Sequence, residues 1–329
     1  MEYGPVIEFI RGHEKFILTV HETPDGDAIG SQYAMFRALK KLGKTVKCFN
    51  ADPAPWKFNF VDAEGEIRVL EGQERLPADL DEYVLIILDV NDTHNIGQVA
   101  TLVLPKVREY FIIDHHDSEQ DTTTGNLIEQ SASSTCEILF QLFTEMKIPI
   151  DFPMARALFM GILFDTGSFI YPKTTALTFE IAHRLVSMGV SPNQIYANVF
   201  ESNSIPSLVM MSKVMGTLEL HFGNHVAIQT LTPETILASQ GKYEEADQFI
   251  NLPLRSADIR VSIFFKENLE GIRRCSMRSK GNIDVAAIAQ GYGGGGHKTA
   301  AGFKCAQPFA AVQRELLEKL SVYFPGDKP

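Results

Sequence analysis

Residues 111–118 read FIIDHHDS. An apolar run that would be buried as a strand ends in Asp114, His115, His116 and Asp117, and the rest of the first half repeats this arrangement. Short β-branched or apolar runs predict strands at FILTV (16–20), TVKCF (45–49), YVLIILDV (83–90), YFIID (110–114) and, more weakly, NLIEQ (126–130). Helical spacing separates or follows them, first from Asp27 to Leu42 up to Gly43, then over 133–146, 153–164 and 175–188. Continuous apolar strands alternating with helices predict a parallel sheet covered on both faces, an α/β fold.

Three of these strands lead into chemistry-bearing residues. FILTV runs into His21, Asp25 and Asp27, YVLIIL into Asp89, and YFII into Asp114, His115 and His116. The apolar helical run ALFMGILF adds Asp165. The carboxyl ends of parallel strands share one edge of an open sheet, where ligands bind, so these groups should converge. Taken singly, Asp25-Gly26-Asp27 is equally a turn with a helix cap, and Asp89 a strand end. Together, several buried carboxylates and imidazoles oppose one another's ionisation unless cations sit among them. A donor set of Asp and His without thiolates suits Mn²⁺, Mg²⁺ or Fe²⁺, so a dinuclear metal site is expected.

The bulk composition fits this. The 329 residues are 45% hydrophobic and 22% charged, which leads to an expectation of two globular domains. The longest apolar runs are about eight residues, too short for a membrane span, and residues 1–16 carry no signal-peptide pattern. Four scattered cysteines (Cys48, Cys136, Cys275, Cys305) read as reduced packing residues of a cytoplasmic protein. The net charge of −11 argues against long duplex DNA as a partner. Between Asn251 and Ala310, however, nine Lys/Arg face four Asp/Glu, a local +5 suited to an anionic ligand. The stretch 191–207 lacks a strong apolar period and marks a junction. The expected division is 1–195, a linker at 196–207, and 208–329. The last part alternates strand and helix signals in a smaller α+β pattern, with a cleft expected between the domains. The apolar Leu208–Leu218 stretch should pack on something, a second copy in a homodimer included.

HETPDGDAIGS, LDVND, DHH and GILFDTGSF, in this order and spacing, resemble the four motifs of the DHH phosphoesterase superfamily. RSKGNIDVAAIAQGYGGGGHKTAAGF (278–303) is similar to the segment of its DHH-associated C-terminal domain that carries the GGGGH tract. The length and the absence of a membrane segment make the chain look most like the nanoRNase/pAp-phosphatase (NrnA-type) branch. The resemblance implies that His21 and Asp25 hold one metal, Asp27, His115 and Asp165 the other, and that Asp89 bridges them. It also implies that His116 faces the scissile phosphate and that Asp114 orients a histidine.

Two Mn²⁺ ions, or Mg²⁺ or another divalent cation, would activate water for attack on a phosphodiester. The substrates implied are oligonucleotides of about two to five nucleotides, cut to mononucleotides, and the nucleoside bisphosphate pAp. Backbone amides at Gly294, Gly295 and Gly296, with His297, Arg278 and Ser279, form the expected phosphate grip. Arg255, Arg260, Arg273 and Arg274 are weaker candidates. Two alternatives stand beside this expectation: a cyclic di-AMP or pApA phosphodiesterase in signalling, and a non-catalytic nucleotide-binding protein. One departure is Asn95 in DTHNIG, where the family often has arginine.

Overall fold

The computed structural model describes residues 2–72, 76–116 and 125–326, and for His297 the backbone alone. Asp117 of the opening stretch lies outside these residues. The chain divides into two units, Met1–Ser202 and Asn203–Pro329. In the first, the elements run α1 (Gly4–Gly12), β1 (Lys15–Thr19), α2 (Gly26–Lys41), β2 (Thr45–Asn50), β3 (Ile67–Val69), β4 (Val84–Leu88) and α3 (Gln98–Leu102). They continue with β5 (Tyr110–Asp114), β6 (Leu127–Ile128), α4 (Thr135–Glu145), α5 (Phe152–Asp165), α6 (Ala176–Ser187) and α7 (Pro192–Phe200). All six strands pair in parallel, in the order β3-β2-β1-β4-β5-β6. The order reverses direction between β1 and β4, so the loops leaving these two strands open a crevice at the carboxyl edge.

The strands are apolar throughout because both faces are covered. Phe16, Leu18, Ile86 and Ile113 pack beneath α2, α4 and α5, whereas Ile17, Leu85, Ile87 and Ile112 pack on the other face against Val99 and Val103. Fully burying each such side chain stabilises the fold by roughly 1.5–3 kcal/mol. Asp25 caps α2, its carboxylate accepting from the amides of Asp27 and Ala28, and Gly43 (φ +78°) follows the helix end in the left-handed region. α2 is buried between the sheet and α5, and Gly30 permits this approach. A Cβ there would lie 2.6 Å from the Ala157 carbonyl oxygen and 3.1 Å from the Cys136 Sγ.

The second unit runs α8 (Ile205–Met215), β7 (Glu219–His221), β8 (Val226–Leu231), α9 (Pro233–Ser239), β9 (Val261–Glu267), β10 (Arg273–Ser279), α10 (Val285–Gln290), β11 (Gly295–His297), β12 (Ala300–Lys304) and α11 (Phe309–Leu320). Its sheet has the order β11-β12-β10-β9-β8-β7, antiparallel except for the β8–β9 pair. Val261, Ile263 and Phe265 of β9 face α10 and α11, while Phe264 faces α8 and the helical turns of 243–251. In the apolar 208–218 stretch Met210 and Val214 are buried in this second core, and Leu208 and Val209 remain exposed.

The expected linker at 196–207 is narrower in the structure. α7 extends to Phe200 and α8 begins at Ile205, leaving 201–204 between them. Each helix starts with a serine cap and a proline in its first turn, Ser191-Pro192 and Ser204 with Pro206, which offsets the weak apolar period.

The α2–α5 contact has a measurable consequence. Gly30→Ala forces a methyl against backbone and is expected to cost about 1–3 kcal/mol. Urea denaturation should show a lower midpoint with an unchanged slope, and an unaltered midpoint would mean that the two helices yield.

Candidate metal centre

The crevice at the β1–β4 switch gathers the residues singled out in sequence. Groups whose ligand atoms lie within 4.8 Å of one another are His21, Asp25 and Asp89; Asp27, His115 and Asp165; and Asp89, Asp114, His115 and His116. Strand ends supply most of them, because an extended backbone stops where side chains turn from the core to the edge. Asp89 leaves β4 with φ +61°, a strained left-handed conformation, while its amide still donates to the Ile113 carbonyl at 3.0 Å. Asp165 is the last residue of α5, where a negative charge opposes the helix dipole and calls for a counter-charge.

Asp89 is central. Its Oδ2 lies 3.7 Å from His21 Nε2 and its Oδ1 3.6 Å from His115 Nε2, so the two oxygens face different groups. His115 Nε2 also lies 3.1 Å from Asp165 Oδ2 and 4.0 Å from Asp27 Oδ2, yet it is buried without a hydrogen-bond partner. His21 places Nδ1 at 2.7 Å from the Glu22 carbonyl, which accepts its proton and turns Nε2 toward Asp89. Asp25 both caps α2 and joins the His21 group, so the turn and ligand interpretations of Asp25-Gly26-Asp27 are compatible.

The electrostatics follow from this crowding. Burial, then the charge of Asp89, pushes the Asp27 carboxyl well above its usual range. Burial also raises Asp89, followed by the charges of Asp25, Asp165 and Asp114. Asp165 is raised by burial and then by Asp27 and Asp25. His115 falls to about 3, first through burial and then through His116, so its ring is neutral and a competent ligand. The Asp114–His116 pair behaves oppositely. Burial would raise the carboxyl and lower the imidazole, but the 2.7 Å Nδ1–Oδ1 hydrogen bond prevails, holding Asp114 below and His116 above their ordinary values.

An unpartnered buried imidazole nitrogen aimed at three carboxylates, with no thiolate in the set, fits a hard divalent cation. Sequence reasoning passed over three neighbours. Lys173 Nζ donates to the His115 carbonyl at 3.1 Å, and the amides of Thr135 and Cys136 at the start of α4 donate to the Asp27 carboxylate at 2.6 and 3.0 Å. The Ser134-x-x-Glu137 capping pattern marks that helix start but not its contact with Asp27.

The expected phosphate grip lies in the second unit. Four successive glycines suggest a loose turn, yet β11 pairs with β12, Gly295 opposite Gly302 and His297 opposite Ala300. Gly294 and Gly296 cannot carry a Cβ, which would collide with the Gly302 and Ala300 carbonyls, whereas Gly295 faces open space. Arg278 pairs with Ala300, which places Arg278, Ala300 and His297 on one rung of three strands. Arg278 is half-buried and donates to the Met277 carbonyl. Ser279 is buried, and its hydroxyl donates to the Ile283 carbonyl at 2.7 Å. The His297 side chain lies outside the described set.

The raised carboxyls predict how a cation acts. Their folded-state pKa values exceed the unfolded ones, so they contribute stability below the unfolded range, and this is lost as pH rises through the folded values. A divalent cation needs them ionised. The melting-temperature difference between Mn²⁺-loaded and EDTA-treated protein should therefore grow from pH 5.5 to pH 8, as read by scanning fluorimetry. A difference that shrinks would contradict a cation at these residues.

Known proteins resemble this chain over most of its length. The family model of the DHH N-terminal domain matches residues 15–162, and that of the DHHA1 domain matches 224–324. The bifunctional oligoribonuclease and PAP phosphatase NrnA of Thermus thermophilus is 29% identical over 287 residues, covering 87% of this chain and 82% of the relative. Its namesake from Mycoplasma genitalium is 28% identical over 304 residues, 90% of each chain. The crystal structure of an exopolyphosphatase-related protein from Bacteroides fragilis superposes with a TM-score of 0.90 at 25% identity, covering 97% of this chain and 95% of that one. The first unit thus carries a DHH domain, together with the candidate ligand cluster, and the second unit carries a DHHA1 domain.

Proposed function

We propose that this protein is a divalent-metal-dependent phosphodiesterase that hydrolyses oligonucleotides of about two to five nucleotides to mononucleotides and removes the 3′-phosphate of pAp. The observation that carries this is Asp89, whose two oxygens face two separate Asp/His groups in a buried crevice. The relatives named oligoribonuclease and PAP phosphatase support the substrate class.

In this proposal His21 and Asp25 hold one cation, Asp27, His115 and Asp165 hold the other, Asp89 joins them, and both are Mn²⁺. Bound there, such ions supply Lewis-acid activation of water and neutralise phosphate charge. The chain does the rest. His116 keeps Nδ1 on Asp114 and is partly exposed, so its ring presents Nε2 to a non-bridging phosphate oxygen. Asp114 fixes that ring and sustains its charge. In the DHHA1 domain, Arg278 and the open backbone at Gly295 bind a substrate phosphate through charge and N–H donation.

Product analysis with Mn²⁺ tests this on pApA, a pentanucleotide, a long RNA, pAp and cyclic di-AMP in parallel. Fast loss of the short linear substrates and of pAp is expected, with slow loss of the long RNA. Consumption of cyclic di-AMP alone would reject the assignment. Asp89→Asn alters the residue that joins both cation positions, so its effect should exceed the 10–100-fold typical of an outer-shell partner and lower activity by on the order of 10²-fold or more. Arg278→Ala should raise KM for pApA with a smaller effect on kcat, and an unchanged KM would remove Arg278 from the grip.

A further inference from the structure

Thr135, the first residue of α4, makes two contacts that no packing role requires. Its amide donates to Asp27 Oδ2 at 2.6 Å, and its hydroxyl donates to Asp89 Oδ1 at 3.0 Å. Thr135, Asp27 and Asp89 are all buried, so neither contact is exchanged with water. Asp27 comes from the first turn of α2 and Asp89 from the position just after β4. One residue therefore ties carboxylates of different chain segments, and these fall into different ligand groups.

The segment bearing Thr135 is itself held. The Ser134 hydroxyl accepts from the Glu137 amide, capping the helix. The buried Glu137 carboxylate accepts from the Ser133 hydroxyl at 2.6 Å and from the Thr178 hydroxyl of α6 at 2.7 Å. α4 thus starts from a fixed point, and its first two amides engage both oxygens of Asp27. Asp89 needs such support because its φ of +61° is strained and its Oδ1 lies between His115 and the Thr135 hydroxyl.

We propose that Thr135 is the positioning residue that sets the separation and orientation of Asp27 and Asp89, and through them the register of the two cation positions. The proposal rests on the two-cation assignment above. Its hydroxyl occupies one lone pair of Asp89 Oδ1 and fixes the carboxylate plane, leaving the remaining lone pairs directed at the two groups. Loss of an outer-shell hydrogen bond of this kind typically weakens metal affinity by 10–100-fold.

Thr135→Val keeps the shape and the amide but removes the hydroxyl, and Thr135→Ser keeps the hydroxyl. Mn²⁺ titration calorimetry on the full-length, metal-stripped proteins reads affinity independently of turnover, and melting of the stripped proteins reads folding. The expected result is Mn²⁺ binding weakened about 10–100-fold in Thr135→Val and close to wild type in Thr135→Ser. Rising Mn²⁺ should recover activity in the valine variant. Wild-type affinity in Thr135→Val would overturn the proposal while leaving the metal assignment intact. Equal losses of affinity in both variants, in step with lower melting temperatures, would reduce Thr135 to a structural role and also overturn it. A wild-type protein that takes up no Mn²⁺ would sink the metal assignment and the proposal with it.

Discussion

The burial of several carboxylates at one point is the constraint on which the first unit depends. Asp27, Asp89 and Asp114 are almost wholly inaccessible, and Asp165 stands beside them at a helix end where its charge is disfavoured. A fold tolerates this only with fixed donors and cations nearby. The amides of α4 answer Asp27, the Thr135 hydroxyl answers Asp89, and His116 answers Asp114. What these donors leave unanswered is the charge between the two ligand groups. The parallel sheet supplies the geometry, because a strand order reversing between β1 and β4 brings both loops to one crevice.

Much of this was legible in the sequence, for a physical reason. A strand buried on both faces is a short apolar run, and a charged residue ending it marks where the chain reaches the edge. His21, Asp25, Asp89 and His115 stood out on that basis, and Asp165 because an acid closed an apolar helix. Thr135 did not stand out, because SASST before a helix looks like ordinary capping, and its contact with Asp27 spans 108 positions of sequence. β3, with only three residues, is too short for its alternation to mark a strand, and β11, with two glycines, has no apolar residue at all. The glycine tract also misleads when taken as flexible. Gly294 and Gly296 are glycines because neighbouring carbonyls leave no room, whereas Gly293, at φ +73°, and Gly295 have open space beside them.

The two units solve different problems. The DHH domain concentrates negative charge in a buried crevice, whereas the DHHA1 sheet offers Arg278 and exposed main chain on a strand that ends its sheet. A main-chain donor has no side chain by which to prefer one base over another. The proposed grip would thus recognise phosphate and leave base identity unread, in keeping with the proposed action on mixed short fragments.

The contact between Asp27 and the start of α4 also bears on how the protein matures during synthesis. The proposed ligands arrive along the chain as His21, Asp25, Asp27, Asp89, His115 and finally Asp165, and α4 comes after β5 and β6. A chain still emerging from the ribosome holds early carboxylates that have neither their amide donors nor their later companions. Domains made in order from the amino terminus fold as units, so the centre closes only once α5 has emerged. Until then the nascent chain lacks the full set of proposed ligands, and a divalent cation held by all of them would join a completed domain.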